Sequence, residues 1–280
     1  MNIVENITMD NERALYGSSD ITVINCRFDG PADGESALKE SSSVTVKNSY
    51  FNLRYPFWHV HGLDIESSEM TDKCRAALWY SDNIKISGTK LHGIKALREC
   101  RDIEITGSSI VSPEFGWSVN NLKMSDVTAE SEYFLMRSYN ISLDNFKLTG
   151  KYSFQYDENL TITNSELNTK DAFWHAKNVT VENSVINGEY LGWYSENLTL
   201  INCTIKGTQP LCYCKGLKLI NCKMIDCDLA FERSEVEASI TTPVISIKNP
   251  LSGRISVPAV DEIIRDIPGA DGEVIISDPS

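Results

Sequence analysis

Apolar residues return along this chain at a fixed distance. Leu198, Leu200 and Ile205 bracket Asn202 and Cys203, as Leu160, Ile162 and Leu167 bracket Asn164 and Ser165. Val179, Val181 and Ile186 do the same around Asn183 and Ser184, and so do Val44, Val46 and Phe51 around Asn48 and Ser49. The first residue of the unit falls at Ile84, Ile103, Leu122, Ile141, Leu160, Val179, Leu198 and Leu217, which is seven successive steps of 19 residues. Earlier copies begin at Ile21, Val44 and Leu63, with steps of 23, 19 and 21 residues. A recurrence of this length marks a solenoid, in which each unit buries its apolar face only against its neighbours.

Within a unit the apolar positions alternate, which predicts strands, and the β-branched content agrees. No stretch keeps a helical period long enough for the helix of a leucine-rich repeat. Nineteen residues leave room for three short strands and their bends, stacked in parallel on the next coil ~4.8 Å away. The expected fold is therefore all-β: a single-domain right-handed parallel β-helix of about twelve coils over residues 1–240, with a C-terminal capping extension over 241–280. An open β-helix end exposes unpaired backbone and core side chains, so it needs cover. Within the extension, Val260, Ile263 and Ile264 have the spacing of a short amphipathic helix ended by Pro268 and Gly269, and residues 273–276 predict a last strand. A dimer contact is the alternative role of this tail.

The polar positions repeat as strictly. Asn25, Asn48, Asn145, Asn164, Asn183, Asn202 and Asn221 share one bend position, where Asp126, Gly88 and Gly107 are the variants. A bend needs a residue that tolerates unusual backbone angles and can satisfy exposed backbone groups, and Asn does both. The next position is small, as at Cys26, Ser49, Ser68, Ser108, Ser165, Ser184, Cys203 and Cys222. A second Asn bend recurs at Asn83, Asn121, Asn140, Asn159, Asn178 and Asn197. Amides one coil apart would pass hydrogen bonds along the stack, an architectural role.

These Asn-rich bends and stacked small residues resemble the pectin-lyase-like superfamily of right-handed β-helices, specifically an uncharacterised bacterial family within it, over roughly residues 1–240. The resemblance implies kinship with pectate lyases, polygalacturonases, carbohydrate epimerases and non-enzymatic binding or structural proteins. It singles out no activity among them.

One column stands apart. All five tryptophans, Trp58, Trp79, Trp117, Trp174 and Trp193, occupy the same place in the repeat. The column before it is mostly aliphatic or Phe, as at Leu38, Phe57, Leu78, Leu97 and Phe173, and reads as core. Adjacent strand residues point oppositely, so the tryptophans should face outward. The column after it mixes Glu40, His59, Tyr80, Glu99, Arg137, Tyr156, His175 and Tyr194, a set too polar to bury. Such an array suits an elongated ligand: a sugar ring can cover an indole with its C–H face while its hydroxyls find Tyr, Glu, Arg and His. The expected substrate-binding residues are Trp58, Trp79, Trp117, Tyr156, Trp174, His175, Trp193 and Tyr194, and the expected ligand is an oligosaccharide or glycan. Two other readings remain open, namely core filling by the indoles and a protein contact that covers them.

Charge narrows the partners. The net charge of −13, from 39 acidic and 26 basic residues, disfavours nucleic acid and anionic membrane, which require concentrated Lys and Arg. The sequence begins without a basic segment followed by an apolar run, so no signal peptide is expected, and no segment has the ~18 continuous apolar residues of a membrane span. Eight cysteines in 280 residues do not require stapling, and a cytoplasmic location is the expectation.

Bond-breaking chemistry is thinly marked. Glycoside hydrolysis needs two carboxylates ~5–9.5 Å apart. Asp82 and Asp102 lie one coil apart, but in the Asn bend column, where capping is the simpler role. No acidic calcium cluster of the pectate-lyase kind accompanies the basic residues. If a catalytic patch exists it is His59, His61, Arg98 and Glu99 beside Trp58 and Trp79, with His59 as base, Arg98 as anion stabiliser and Glu99 as acid or orienter. Cys203, Cys212, Cys214, Cys222 and Cys227 form a further cluster whose ordinary explanation is small core residues. No metal site is assigned. No phosphate-cradling glycine loop precedes a helix, so no cofactor is expected.

Overall fold

In a computed structural model that describes residues 2–277, the alternating apolar positions all turn to one side of their strands. Ile84 and Ile86, Ile103 and Ile105, and Leu198 and Leu200 are fully enclosed, while the residues between them face outward. The described residues contain no helix. Parallel strands stack as a β-solenoid of about 14 turns. By its internal contacts the chain divides into Met1–Ile141 and Ser142–Ser280.

The first unit has three walls. One stacks Asn2–Glu5, Ser19–Ile24, Ser42–Lys47, His61–Glu66, Asp82–Ser87, Arg101–Thr106 and Asn120–Ser131 in parallel. A second stacks the short strands Tyr50–Phe51, Glu69–Met70, Lys90–His92 and Ser109–Val111. The third is Leu78–Trp79, Leu97–Arg98, Glu114–Trp117 and Tyr133–Met136. Ile84 pairs with Ile103 and Ile103 with Leu122, the register that the spacing requires. Phe28 lies on Phe51 at 4.6 Å between ring centroids, and Phe115 on Phe134 at 5.5 Å.

The second unit repeats the scheme. Leu160, Val179 and Leu198 are in register, and Phe154 stacks on Phe173 at 5.0 Å. Residues 241–277 continue the ladder: Ser252–Val257 pairs with Glu235–Ile240, and Glu273–Ile276 pairs with Ser252–Val257, which supplies the predicted last strand. The amphipathic helix expected at residues 260–265 is instead the strand Val260–Ile264, paired with Val244–Lys248. The neighbouring strand offers a template of unpaired backbone, and β-branched Val260, Ile263 and Ile264 suit it, so tertiary pairing overrides the local helical spacing.

Small buried hydroxyls tie coil to coil. Cys26 N–H donates to Ser49 Oγ at 3.1 Å, Ser49 N–H to Ser68 Oγ at 3.1 Å, and Ser68 N–H to Thr89 Oγ1 at 3.2 Å. These bonds satisfy bend amides that would otherwise be buried alone. The amide ladders form as well. Asn221 donates to Asn202 at 2.8 Å and Asn202 to Asn183 at 3.2 Å; Asn197 donates to Asn178 at 3.0 Å and Asn178 to Asn159 at 3.3 Å. Asn183, Asn202 and Asn221 all have φ near +52° (52°, 52° and 53°), the left-handed conformation the bend demands.

Candidate functional site

The aromatic column owes its exposure to a bend. Leu78 is buried, Trp79 half-buried and Tyr80 exposed, and the same gradation runs through Phe57, Trp58 and His59, and through Phe173, Trp174 and His175. Every residue after the tryptophans is left-handed: φ is 58° at His59, 56° at Tyr80, 55° at His175 and 60° at Tyr194. A strand that continued straight would turn this residue inward. The left-handed turn reverses that, so two consecutive side chains face out. The indoles are therefore wall residues, neither core nor free-standing.

In the first unit the rings make a tight patch. Trp58 and Trp79 are 5.2 Å apart at 51°. The Arg98 guanidinium lies between Trp79, at 5.0 Å, and Trp117, at 5.4 Å, with Glu99 Oε1 3.6 Å from its Nε. A planar cation between two indole faces is held by the ring quadrupoles. Trp79 Nε1–H donates to Lys95 O at 2.7 Å, whereas Trp117 Nε1 is buried without a partner among the described residues. Beside these rings, His59 Nδ1–H donates to Glu40 Oε2 at 2.6 Å and His61 Nδ1–H to Asp82 Oδ2 at 2.9 Å. The two imidazoles are 4.9 Å apart. Asp82 also accepts from Asn83 Nδ2 at 2.8 Å and Arg101 Nη2 at 3.1 Å. Burial pushes its carboxyl up, but hydrogen bonds from His61 and Asn83 and the charges of His61 and Arg101 outweigh burial and hold it below the usual carboxylate range.

In the second unit the rings stack flat. Trp174 and Trp193 lie 5.4 Å apart at 4°, each pinned by its Nε1–H to a carbonyl, Tyr190 O at 2.7 Å and Gln209 O at 2.8 Å. Beside them Tyr156, His175, Tyr194 and Tyr213 form a continuous stack, with centroid separations of 4.9, 5.0 and 4.8 Å. Rings stacked this way cover one another's faces and present edges, hydroxyls and imidazole nitrogens to solvent. Asp171, three residues before Trp174, is buried, and that burial raises its carboxyl above the ordinary value despite the nearby Lys170.

The sequence expectations meet this geometry unevenly. His59 and His61 do share a patch, and Arg98 and Glu99 are together. The column order places Tyr80 between His59 and Glu99, and His59 turns to Glu40, so Glu99 orients Arg98 and not the histidine. Glu40, Asp82 and Arg101 complete the histidine patch; their signal was their place in the repeat, one coil to either side of the histidines or next to Asp82. Asp171 carried no signal, because its burial depends on the wall around it. Asp102 accepts from Asn121 Nδ2 at 2.8 Å, a rung of the side-chain ladder along the bends.

The cysteines are core. All eight are free and buried. Cys203 Sγ donates to Val181 O, and Cys214 Sγ to Gly192 O. Burial pushes the thiols of Cys212 and Cys227 up to about 12 and that of Cys214 up to about 11. Such thiols stay protonated and make poor metal ligands. Among the described residues no three His, Cys, Asp or Glu side chains are grouped to hold a metal ion, and no helix is long and apolar enough to cross a membrane.

The coil-on-coil register, with its Asn and Ser ladders, lies within the stretch that a family model matches, from residue 2 to residue 276. The chain belongs to the family described as Protein of unknown function (DUF3737). No curated protein matches it. Family membership leaves the activity to be argued from the two aromatic surfaces.

Proposed function

We propose that this DUF3737 solenoid binds a glycan at its aromatic surfaces, and that its place lies among right-handed β-helices of the pectin-lyase-like kind. The observation that carries the reading is the regular pairing of a half-buried indole with an exposed Tyr or His in the next position, as at Trp174 with His175 and Trp193 with Tyr194. The stacking changes how recognition would work. A sugar cannot lie on faces that neighbouring rings already cover, so hydroxyls of the ligand would meet phenol oxygens, imidazole nitrogens and ring edges. Any processing of the ligand falls to the His59 and His61 patch, since Arg98 is committed to two indoles and Glu99.

A second reading is a non-enzymatic protein-interaction surface. Flat stacks with polar edges, such as Tyr156 to Tyr213, also suit a partner protein or a second copy of the chain. A broad glycan array with the double variant Tyr156→Phe, Tyr194→Phe separates the two. Glycan binding by the parent, weakened at least ~10-fold by loss of the two hydroxyls, supports the first reading, since losing two hydrogen bonds costs about that much. No glycan bound, together with a stable dimer that protects these rings from solvent quenchers, would establish the second.

A further inference from the structure

The small inner column of the second unit changes chemistry after Ser184. Ser165 and Ser184 hold it first, and Ser165 N–H donates to Ser184 Oγ at 3.0 Å. Cys203 and Cys222 follow, one 19-residue period apart. The flanking residues fix their register, since Ile201 pairs with Ile220 and Thr204 with Lys223. Lys223 N–H donates to Cys203 O at 2.8 Å, so the two backbones are neighbours at this point. Parallel coils lie ~4.8 Å apart, and a disulfide spans Cα separations of ~4.4–6.8 Å. Residues of one column also share a direction, so the two Cβ vectors do not diverge.

The two sulfurs meet. The Cys203 thiol reaches either the Val181 carbonyl, at 3.3 Å, or the Cys222 sulfur. Its hydrogen bond lowers the Cys222 thiol against the opposing effect of burial, while the same contact, with burial, raises the thiol of Cys203. Other cysteines meet serine in the corresponding place. Cys26 has Ser49 in the next coil, Cys100 has Ser81 in the coil before, and Cys214 has Ser195 before it and Ser234 after it. Cys203 and Cys222 are 1% and 0% exposed, so only a small reagent suits them.

We propose that Cys203 and Cys222 are an oxidation-sensitive dithiol, closed to a disulfide inside the folded coil by a small two-electron oxidant of the peroxide class. The Cys222 sulfur, as thiolate, attacks one oxygen of hydrogen peroxide; the O–O bond breaks, hydroxide leaves and a sulfenic acid forms. The Cys203 sulfur then attacks the Cys222 sulfur, so that the S–S bond forms and the S–O bond breaks. The two thiol protons leave with the two hydroxides as water, and two electrons pass from sulfur to oxygen. Cys203 already touches its partner, so closure precedes further oxidation of the sulfenic acid. The proposal is independent of the glycan reading, because the dithiol lies in the core and not on the aromatic surface.

The test exposes the native full chain to hydrogen peroxide, removes the oxidant, unfolds the chain in urea with an alkylating reagent, and identifies its peptides by mass spectrometry. Two of the eight thiols should escape alkylation. The Cys203 and Cys222 peptides should appear joined, lighter by two hydrogens than the separate pair, and dithiothreitol should restore both thiols. Far-UV circular dichroism of the oxidised chain should match that of the reduced one, which places the closure inside the folded coil. Cys222→Ser takes the residue that the column already uses at Ser184, so it should fold and should lose the link. Eight alkylated thiols after peroxide, a link from Cys203 or Cys222 to any other cysteine, sulfinic acid in place of the link, or a link that forms only with loss of the far-UV signal would overturn the proposal. The parent chain decides the matter by itself if Cys222→Ser fails to fold.

Discussion

Asn202 offers the sharpest check on how the coils are built, because three substitutions there separate backbone from side-chain effects. Its φ of 52° is left-handed, its Nδ2–H donates to Asn183 Oδ1 at 3.2 Å, and its Oδ1 accepts from Asn221 at 2.8 Å. Both amide bonds are solvent-exposed, so each is worth about 0.5 kcal/mol, the low end for a hydrogen bond. Ala in a left-handed position costs about 1–2 kcal/mol, which puts Asn202→Ala at about 2–3 kcal/mol with both amides lost. Gly escapes the steric cost but adds about 0.5–1 kcal/mol of unfolded-chain entropy, giving about 1.5–2 kcal/mol for Asn202→Gly. Asp keeps the acceptor for Asn221 and tolerates the backbone, so Asn202→Asp should cost about 0.5 kcal/mol. The chain itself samples these choices in the same column, with Asp126 at φ 56° and Gly88 at φ 54°. Urea unfolding followed by far-UV circular dichroism, with slopes held constant across variants, measures the order. If Asn202→Ala proves no less stable than Asn202→Gly, the left-handed bend is not what selects Asn here, and the reasoning fails.

Two further outcomes follow from the first unit. Arg98→Lys should destabilise by about 1 kcal/mol in the same assay, because an ammonium cannot lie flat between Trp79 and Trp117 as a guanidinium does; an unchanged midpoint would mean that the sandwich contributes nothing. Asp82→Asn should cost about 1–2 kcal/mol near neutral pH. Because the folded state depresses the Asp82 carboxyl, its stabilisation is present above the unfolded value of about 3.9 and is lost as pH falls through the folded value. The gap between parent and variant should therefore shrink toward pH 3, and a gap that stays constant from pH 7 to pH 3 would contradict the assignment.

The repeat alone was enough to determine the solenoid, its register and its bends. Each coil pairs only with coils one period away, so sequence spacing maps directly onto spatial neighbours, and Ile84 could only meet Ile103. The Asn and Ser ladders were legible for the same reason. The tail was less so: Val260–Ile264 has a helical spacing, and only the adjacent strand Val244–Lys248 turned it into a strand. The outward set of the aromatic column was readable from alternation, but its depth was not. How far an indole sinks into the wall depends on a left-handed turn and on the carbonyl that receives its Nε1–H, neither of which alternation encodes. Partner choice within the columns belonged wholly to tertiary structure. Glu40 and Glu99 occupy equivalent places in the repeat, yet one orients His59 and the other pairs with Arg98, because side-chain reach and the identity of the neighbour one coil away decide each contact.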